Sequence, residues 1–198
     1  TEARGPNDDR VRRAQYLLAK GLLWAGQPEQ ALEIGVPLLQ GLADSHVLVI
    51  SLAQVVGQAY VRTGRLEQAE AVYQRVIDAR RKAKLGVTGL QAALGEILLR
   101  QGRTGEAETL VRSLLPEKKA SPSWTSGYLH GILGAALAAK GDYGAAEPLL
   151  LSAHQVMTDQ RSSTGVPEWY QLDQVRSWIA ALYEKQGKPE LAAHWARP

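Results

Sequence analysis

The chain has 198 residues, 45% of them hydrophobic and 22% charged, a balance that supports a buried core. A formal charge of +3, from 23 basic against 20 acidic side chains, is too mild to point to nucleic acid, and the lack of cysteine excludes disulfides, thiolate metal sites and cysteine nucleophiles. No apolar run approaches the roughly 18 residues needed to cross a bilayer, and the polar start Thr1-Glu2-Ala3-Arg4-Gly5 is not a signal peptide, so a cytoplasmic chain with no membrane contact is expected.

In chain order, residues 1–7 read as a disordered leader, and the missing initiating methionine suggests a processed product or an excised segment. Asn7 or Asp8 caps a first helix running to about Ala25, and Gln27-Pro28-Glu29 opens its partner, with proline where its missing N–H costs least. Asp44 or Ser45 caps a long helix through Val56 to Thr63, followed by a helix from Leu66 to about Lys84. The basic end of that helix, Arg80, Arg81, Lys82 and Lys84, is read as cations complementing a helix C-terminus and not as a phosphate site. A third pair spans about Gly86 to Gln101 and Thr104 to Leu115, ended by Pro116. Ser121-Pro122-Ser123 starts a fourth, whose second helix ends near Met157. Thr158 to Pro167 reads as an inserted loop, after which Glu168-Trp169-Tyr170 leads into a fifth pair or packs back on the fourth; the last helix runs from about Pro189 to Ala196.

The pairs are copies of one another. Turn glycines at 26, 64, 102, 141 and 187 each have an alanine five residues later (Ala31, Ala69, Ala107, Ala146, Ala192) and a small residue seven before (Ala19, Gly57, Gly95, Gly134, Ala180). Four before each glycine stands a large residue: Leu22, Tyr60, Leu98, Leu137 or Tyr183. Glycine ends one helix in the left-handed conformation, and the small residues let two helices approach closely across the turn. The period is 38, 38, 39 and then 46 residues, from the differences between successive glycines.

With Val56-Gly57, Tyr60, Gly64, Ala69 and Tyr73 as its best copy, the pattern resembles the tetratricopeptide repeat. The steps exceed the family's usual period of about 34 residues, in the manner of kinesin light chains and large bacterial regulators. The closing stretch Trp178 to Glu190 with Ala192-Ala193-His194-Trp195 is similar to repeat arrays appended to bacterial Ser/Thr protein kinases. The resemblance implies an all-α, right-handed α-solenoid of about five helix-turn-helix repeats and about ten helices. Its repeats fall at about 8–43, 44–85, 86–120, 121–160 and 166–198 of a single domain over 8–198.

Catalytic motifs are missing. There is no glycine-rich phosphate loop, His-Arg-Asp or Asp-Phe-Gly, and the histidines 46, 130, 154 and 194 show no metal-ligand spacing, so neither enzyme activity nor a cofactor or metal is expected. Gly86 to Gly89 and Gly131 to Gly134 are read as packing. The resemblance implies a concave groove lined by the first helix of each pair. Carried onto this chain, it nominates Tyr16, Lys20, Trp24, Gln54, Gln58, Arg62, Glu96, Arg100, Tyr128, Ala135, Ala138, Ala139, Ser177 and Lys185. Arg62 and Arg100 hold equivalent places; they are expected to stack as neighbours and offer donors to carboxylates with Lys20, or else to pair with Glu67, Glu96 or Glu106. Ala135, Ala138 and Ala139 leave room for an apolar ligand residue bounded by Tyr128 and Leu99. The expectation is a protein-interaction module for a peptide or protein segment of acidic character, with no direct nucleic-acid contact. The alternatives are an effector-sensing domain of a bacterial signalling protein, or a scaffold that self-associates through its open ends and the Trp169 region.

Overall fold

Five glycines with positive φ, from 69° at Gly187 to 86° at Gly141, end the first helix of every pair. At each, the N–H after the glycine donates to the carbonyl four before it: Gln27 to Leu22, Arg65 to Tyr60, Arg103 to Leu98, Asp142 to Leu137 and Lys188 to Tyr183, at 2.8 to 3.0 Å. This bond satisfies a carbonyl the helix would otherwise leave orphaned, and it turns the chain straight into the partner helix.

The computed structural model describes residues 8–115, 122–161 and 169–196, the side chain of Trp169 excepted. The leader, Pro116, Ser121, the loop residues 162–167 and the Trp169 contact of the sequence reading lie outside the described residues. Ten helices follow in order: α1 Asp9–Trp24, α2 Pro28–Gln40, α3 Val49–Arg62, α4 Leu66–Lys82 and α5 Thr88–Arg100. They continue as α6 Thr104–Leu114, α7 Trp124–Ala139, α8 Tyr143–Asp159, α9 Trp169–Lys185 and α10 Pro189–Ala196. The fold is an all-α helical repeat, and no strand occurs among the described residues. The helices form two compact units, one up to Leu90 and the other from Gln91.

Within each unit the small residues sit where the seam needs them. A side chain on Gly57 would land on Tyr73, one on Gly95 against Val111, and one on Gly134 against Leu150 and the Ala146 carbonyl. Ala31, Ala69, Ala107 and Ala146 are wholly buried. Gly131 lies under Val175 and Trp178, so the Gly131 to Gly134 spacing is a packing device.

Helix starts differ from expectation in one place. Neither Asp44 nor Ser45 caps α3, which begins at Val49 and has no side-chain cap; in the turn before it the His46 Nδ1 accepts the Leu48 N–H at 3.1 Å. Asp44 instead lies 3.7 Å from the Arg75 guanidinium. Asp8 caps α1 by accepting the Arg10 N–H, and Ser123 forms a reciprocal capping box with Ser126 at α7. Helix α4 ends at Lys82 with its basic last turn, and Lys84 adopts the left-handed conformation at φ 56°, where the other turns use glycine.

Candidate binding surface

The nominated residues of the first unit stand on α1 and α3. Lys20 projects its ammonium 5.7 Å from the centroid of the Tyr16 ring and 4.7 Å from that of Trp24, so the cation lies over two π faces one turn to either side. Trp24 is 46% exposed, which is high for its size. No carboxylate pairs with Lys20 among the described residues. Gln54 is exposed on α3. Gln58, a turn further on, is buried, and its Oε1 has no hydrogen-bond partner.

Arg62 is not a free donor. Its Nη1 donates to the Leu23 carbonyl at 2.6 Å, neutralising the open end of α1 with a charge-assisted bond. Arg100 belongs to the other unit and is engaged there: its Nε donates to Glu96 Oε1 at 2.9 Å, and its Nη2 donates to the Gln174 side chain. Neither Glu67 nor Glu106 is the partner of these arginines; Glu106 pairs with Arg103 at 2.8 Å, and that pairing holds its carboxyl below the usual range. The expected pair of free guanidiniums is thereby corrected, and the alternative of pairing with a glutamate holds for Arg100 with Glu96 but not for Arg62, which takes a backbone carbonyl.

A second correction concerns Glu96 and Tyr128, nominated as groove residues and found in the interior of the second unit. The Tyr128 hydroxyl donates to Glu96 Oε2, and its ring stacks on Trp178 at 6.0 Å with an interplanar angle of 18°. Burial first, then the neighbouring Glu96 charge, pushes the Tyr128 hydroxyl well above its ordinary pKa, so it remains a donor. A buried carboxylate here holds two charge-assisted bonds, from Tyr128 and Arg100, and this offsets its desolvation. Nearby, the Trp124 indole donates to Gln171 at 2.6 Å. Sequence reasoning did not foresee this cluster, since its members come from α5, α7 and α9 and no local pattern links them.

The small-residue floor of α7 is partly open. Ala135 and Ala138 are half-buried, Ala139 is exposed, Leu99 and Trp178 are partly buried, and Ser177 and Lys185 are exposed on α9. Of the histidines, His130 is partly buried, and His154 meets the edge of Trp195 at 4.7 Å. Burial pushes the His154 pKa down, with the Arg176 charge adding to the effect. Among the described residues no group of three His, Asp or Glu side chains is placed to hold a metal. A cavity of about 380 Å³ between α1 and α2, lined by Arg12, Gln15, Glu33, Ile34, Pro37, Leu38 and Gly41, contains none of the nominated residues.

Models of the tetratricopeptide repeat match residues 51–82 and 89–113, the second and third glycine-centred copies. The fold is a tetratricopeptide-type helical repeat. Among solved structures, the nearly identical TPR-like repeats of a Podosopora anserina kinesin light chain align over 92% of this chain and 90% of that one, at 20% identity and a TM-score of 0.60. BtubC (BKLC) from P. vanneervenii aligns over 94% and 77%, at 17% identity and a TM-score of 0.65. MamA from Desulfovibrio magneticus RS-1 aligns over 93% and 90%, at 14% identity and a TM-score of 0.57. At these identities the likeness is one of fold. No curated protein matches the sequence. Repeats of this type generally serve as non-catalytic modules for protein–protein interaction, and no described helix is long and apolar enough to cross a membrane.

Proposed function

We propose that the chain is an interaction module that binds a peptide or protein segment along the first helices of its first unit, α1 and α3, with an acidic side chain of the ligand held at Lys20. The observation that carries this reading is the Lys20 ammonium set over the Tyr16 and Trp24 rings with no carboxylate of its own. A cation so placed keeps its charge outward, while the rings fix its position at little entropic cost. Trp24 supplies exposed aromatic area of the kind that anchors interfaces. The exposed Gln54 amide supplies donor and acceptor groups for an extended backbone.

The test is selection from a displayed random-peptide library, followed by fluorescence anisotropy with the selected peptides. Acidic peptides with an apolar residue are expected to emerge. Lys20→Glu should weaken them by about tenfold or more, because an attraction becomes a repulsion. Trp24→Ala should weaken them comparably, and far-UV circular dichroism should stay unchanged for both. Selection of peptides indifferent to Lys20→Glu would refute the reading.

A further inference from the structure

Helix α4 ends in a turn of the kind that the repeat elsewhere gives to glycine. The Lys84 N–H donates to the Arg81 carbonyl and the Leu85 N–H to the Arg80 carbonyl, both at 2.9 Å, the same two bonds that Gly64 and Arg65 make to Val61 and Tyr60. Lys84 thus takes the left-handed position, at φ 56°, with a side chain that disfavours it. Strain retained at one residue points to a use for its side chain.

Lys84 completes a run of cations with Arg80, Arg81 and Lys82. A helix C-terminus favours positive charge in its last turn, yet the last turns of α2 and α8 carry none, and that of α6 carries Arg112, which pairs with Glu108 at 2.8 Å. The cations of α4 are different. No carboxylate pairs with any of them among the described residues. Asp78, the only acidic residue between Glu70 and Glu96, accepts instead from the Gln74 amide at 2.8 Å. Arg80 is partly buried, with the Gly86 carbonyl 3.4 Å from its Nε, while Arg81, Lys82 and Lys84 are exposed.

Two aliphatic side chains stand at the same end of this helix pair. Leu85 directly follows the run and is 41% exposed, and Val47, in the turn before α3, is 86% exposed. Helices α3 and α4 fold back on each other about Gly64, so the start of α3 and the end of α4 share one end of the hairpin. Arg75 of α4 reaches the same turn, 3.7 Å from Asp44, and offsets the one carboxylate there.

We propose that this end of the first unit docks on a membrane surface rich in anionic lipid, the cations meeting the headgroups while Leu85 and Val47 enter the boundary of the acyl chains. Charge complementarity selects the anionic surface. The aliphatic side chains select lipid over nucleic acid: each gains by leaving water for the bilayer boundary, and no aromatic ring stands between residues 80 and 89 to stack on a base. The proposal departs from the sequence expectation that the basic run only complements a helix end and that the chain makes no membrane contact. It is also independent of the Lys20 surface, since Lys20 stands six residues before Gly26, at the turn end of its own helix pair.

Co-sedimentation of the full chain with vesicles of phosphatidylcholine, alone or mixed with phosphatidylserine, tests this. Binding is expected to the mixed vesicles only, and should weaken with salt. The double variant Arg81→Glu, Lys82→Glu should lower the partition coefficient by about tenfold or more. Leu85→Gln should lower it severalfold, an effect that a purely ionic contact would not show. Lys84→Gly removes a cation while relieving the left-handed strain, so it should weaken vesicle binding even as it raises the urea midpoint, which separates docking from folding. No binding to the mixed vesicles, equal binding to both kinds, or binding unchanged by Leu85→Gln would overturn the proposal. A short DNA duplex bound where the vesicles are not would overturn it in favour of nucleic acid.

Discussion

Replacing Gly57 by alanine should destabilise the protein, although alanine favours helix over glycine by about 1 kcal/mol. The new Cβ would stand 2.6 Å from the Tyr73 hydroxyl oxygen, 2.7 Å from a ring carbon and closer still to Cζ, against an ordinary contact of at least 3.4 Å, so the ring must retreat by more than 3.4 − 2.6 = 0.8 Å. Tyr73 is only 2% exposed, with Val76 and Ile77 buried a turn further along the same helix, and has little room for that movement. Overpacking of this kind costs about 1–3 kcal/mol, so the net loss is between zero and about 2 kcal/mol once the helix propensity gain of about 1 kcal/mol is deducted. Urea unfolding followed by circular dichroism at constant m-value measures it. The sharper form is a double-mutant cycle: in a Tyr73→Leu background the clash is gone, and Gly57→Ala should become stabilising by up to about 1 kcal/mol. An effect of Gly57→Ala equal in both backgrounds would refute the view that the glycine exists to admit the tyrosine.

Other consequences concern single positions. Lys84 holds a left-handed conformation at φ 56°, so Lys84→Gly should raise stability by about 0.5–1 kcal/mol in the same urea assay. Tyr128→Phe keeps the stack on Trp178 but takes one donor from a buried carboxylate, and should cost about 1–3 kcal/mol. His154 is held below its ordinary pKa of 6.5 in the folded state, so the unfolded chain binds the proton first on acidification. Its contribution to stability is full above 6.5 and is lost as pH falls through the lower folded value; His154→Gln should flatten the fall in urea midpoint over that window.

The turn glycines and the small residues around them were legible because their requirement is local and steric: a left-handed φ at Gly64, or space for a ring at Gly57, is stated by one residue type at one spacing. The start of α3 was not, since Asp44 and Ser45 are capping residue types but the helix begins only at Val49, after a turn in which the His46 ring holds the Leu48 N–H. In the sequence Lys84 is one more cation of the α4 end, because nothing in a lysine announces a positive φ. The nominated surface divided along the same line. Lys20 and Trp24 share a helix with Tyr16 one turn apart, which spacing reveals. The burial of Glu96 and Tyr128 depends on Trp178 and Gln174, which reach them from α9.

The most direct test of the binding account is the affinity of one selected acidic peptide for the wild type and for Lys20→Glu, measured at low and at high salt. The account predicts binding by the wild type that weakens with salt, and loss of about tenfold or more on charge reversal. Equal affinity for the two proteins at low salt would contradict it.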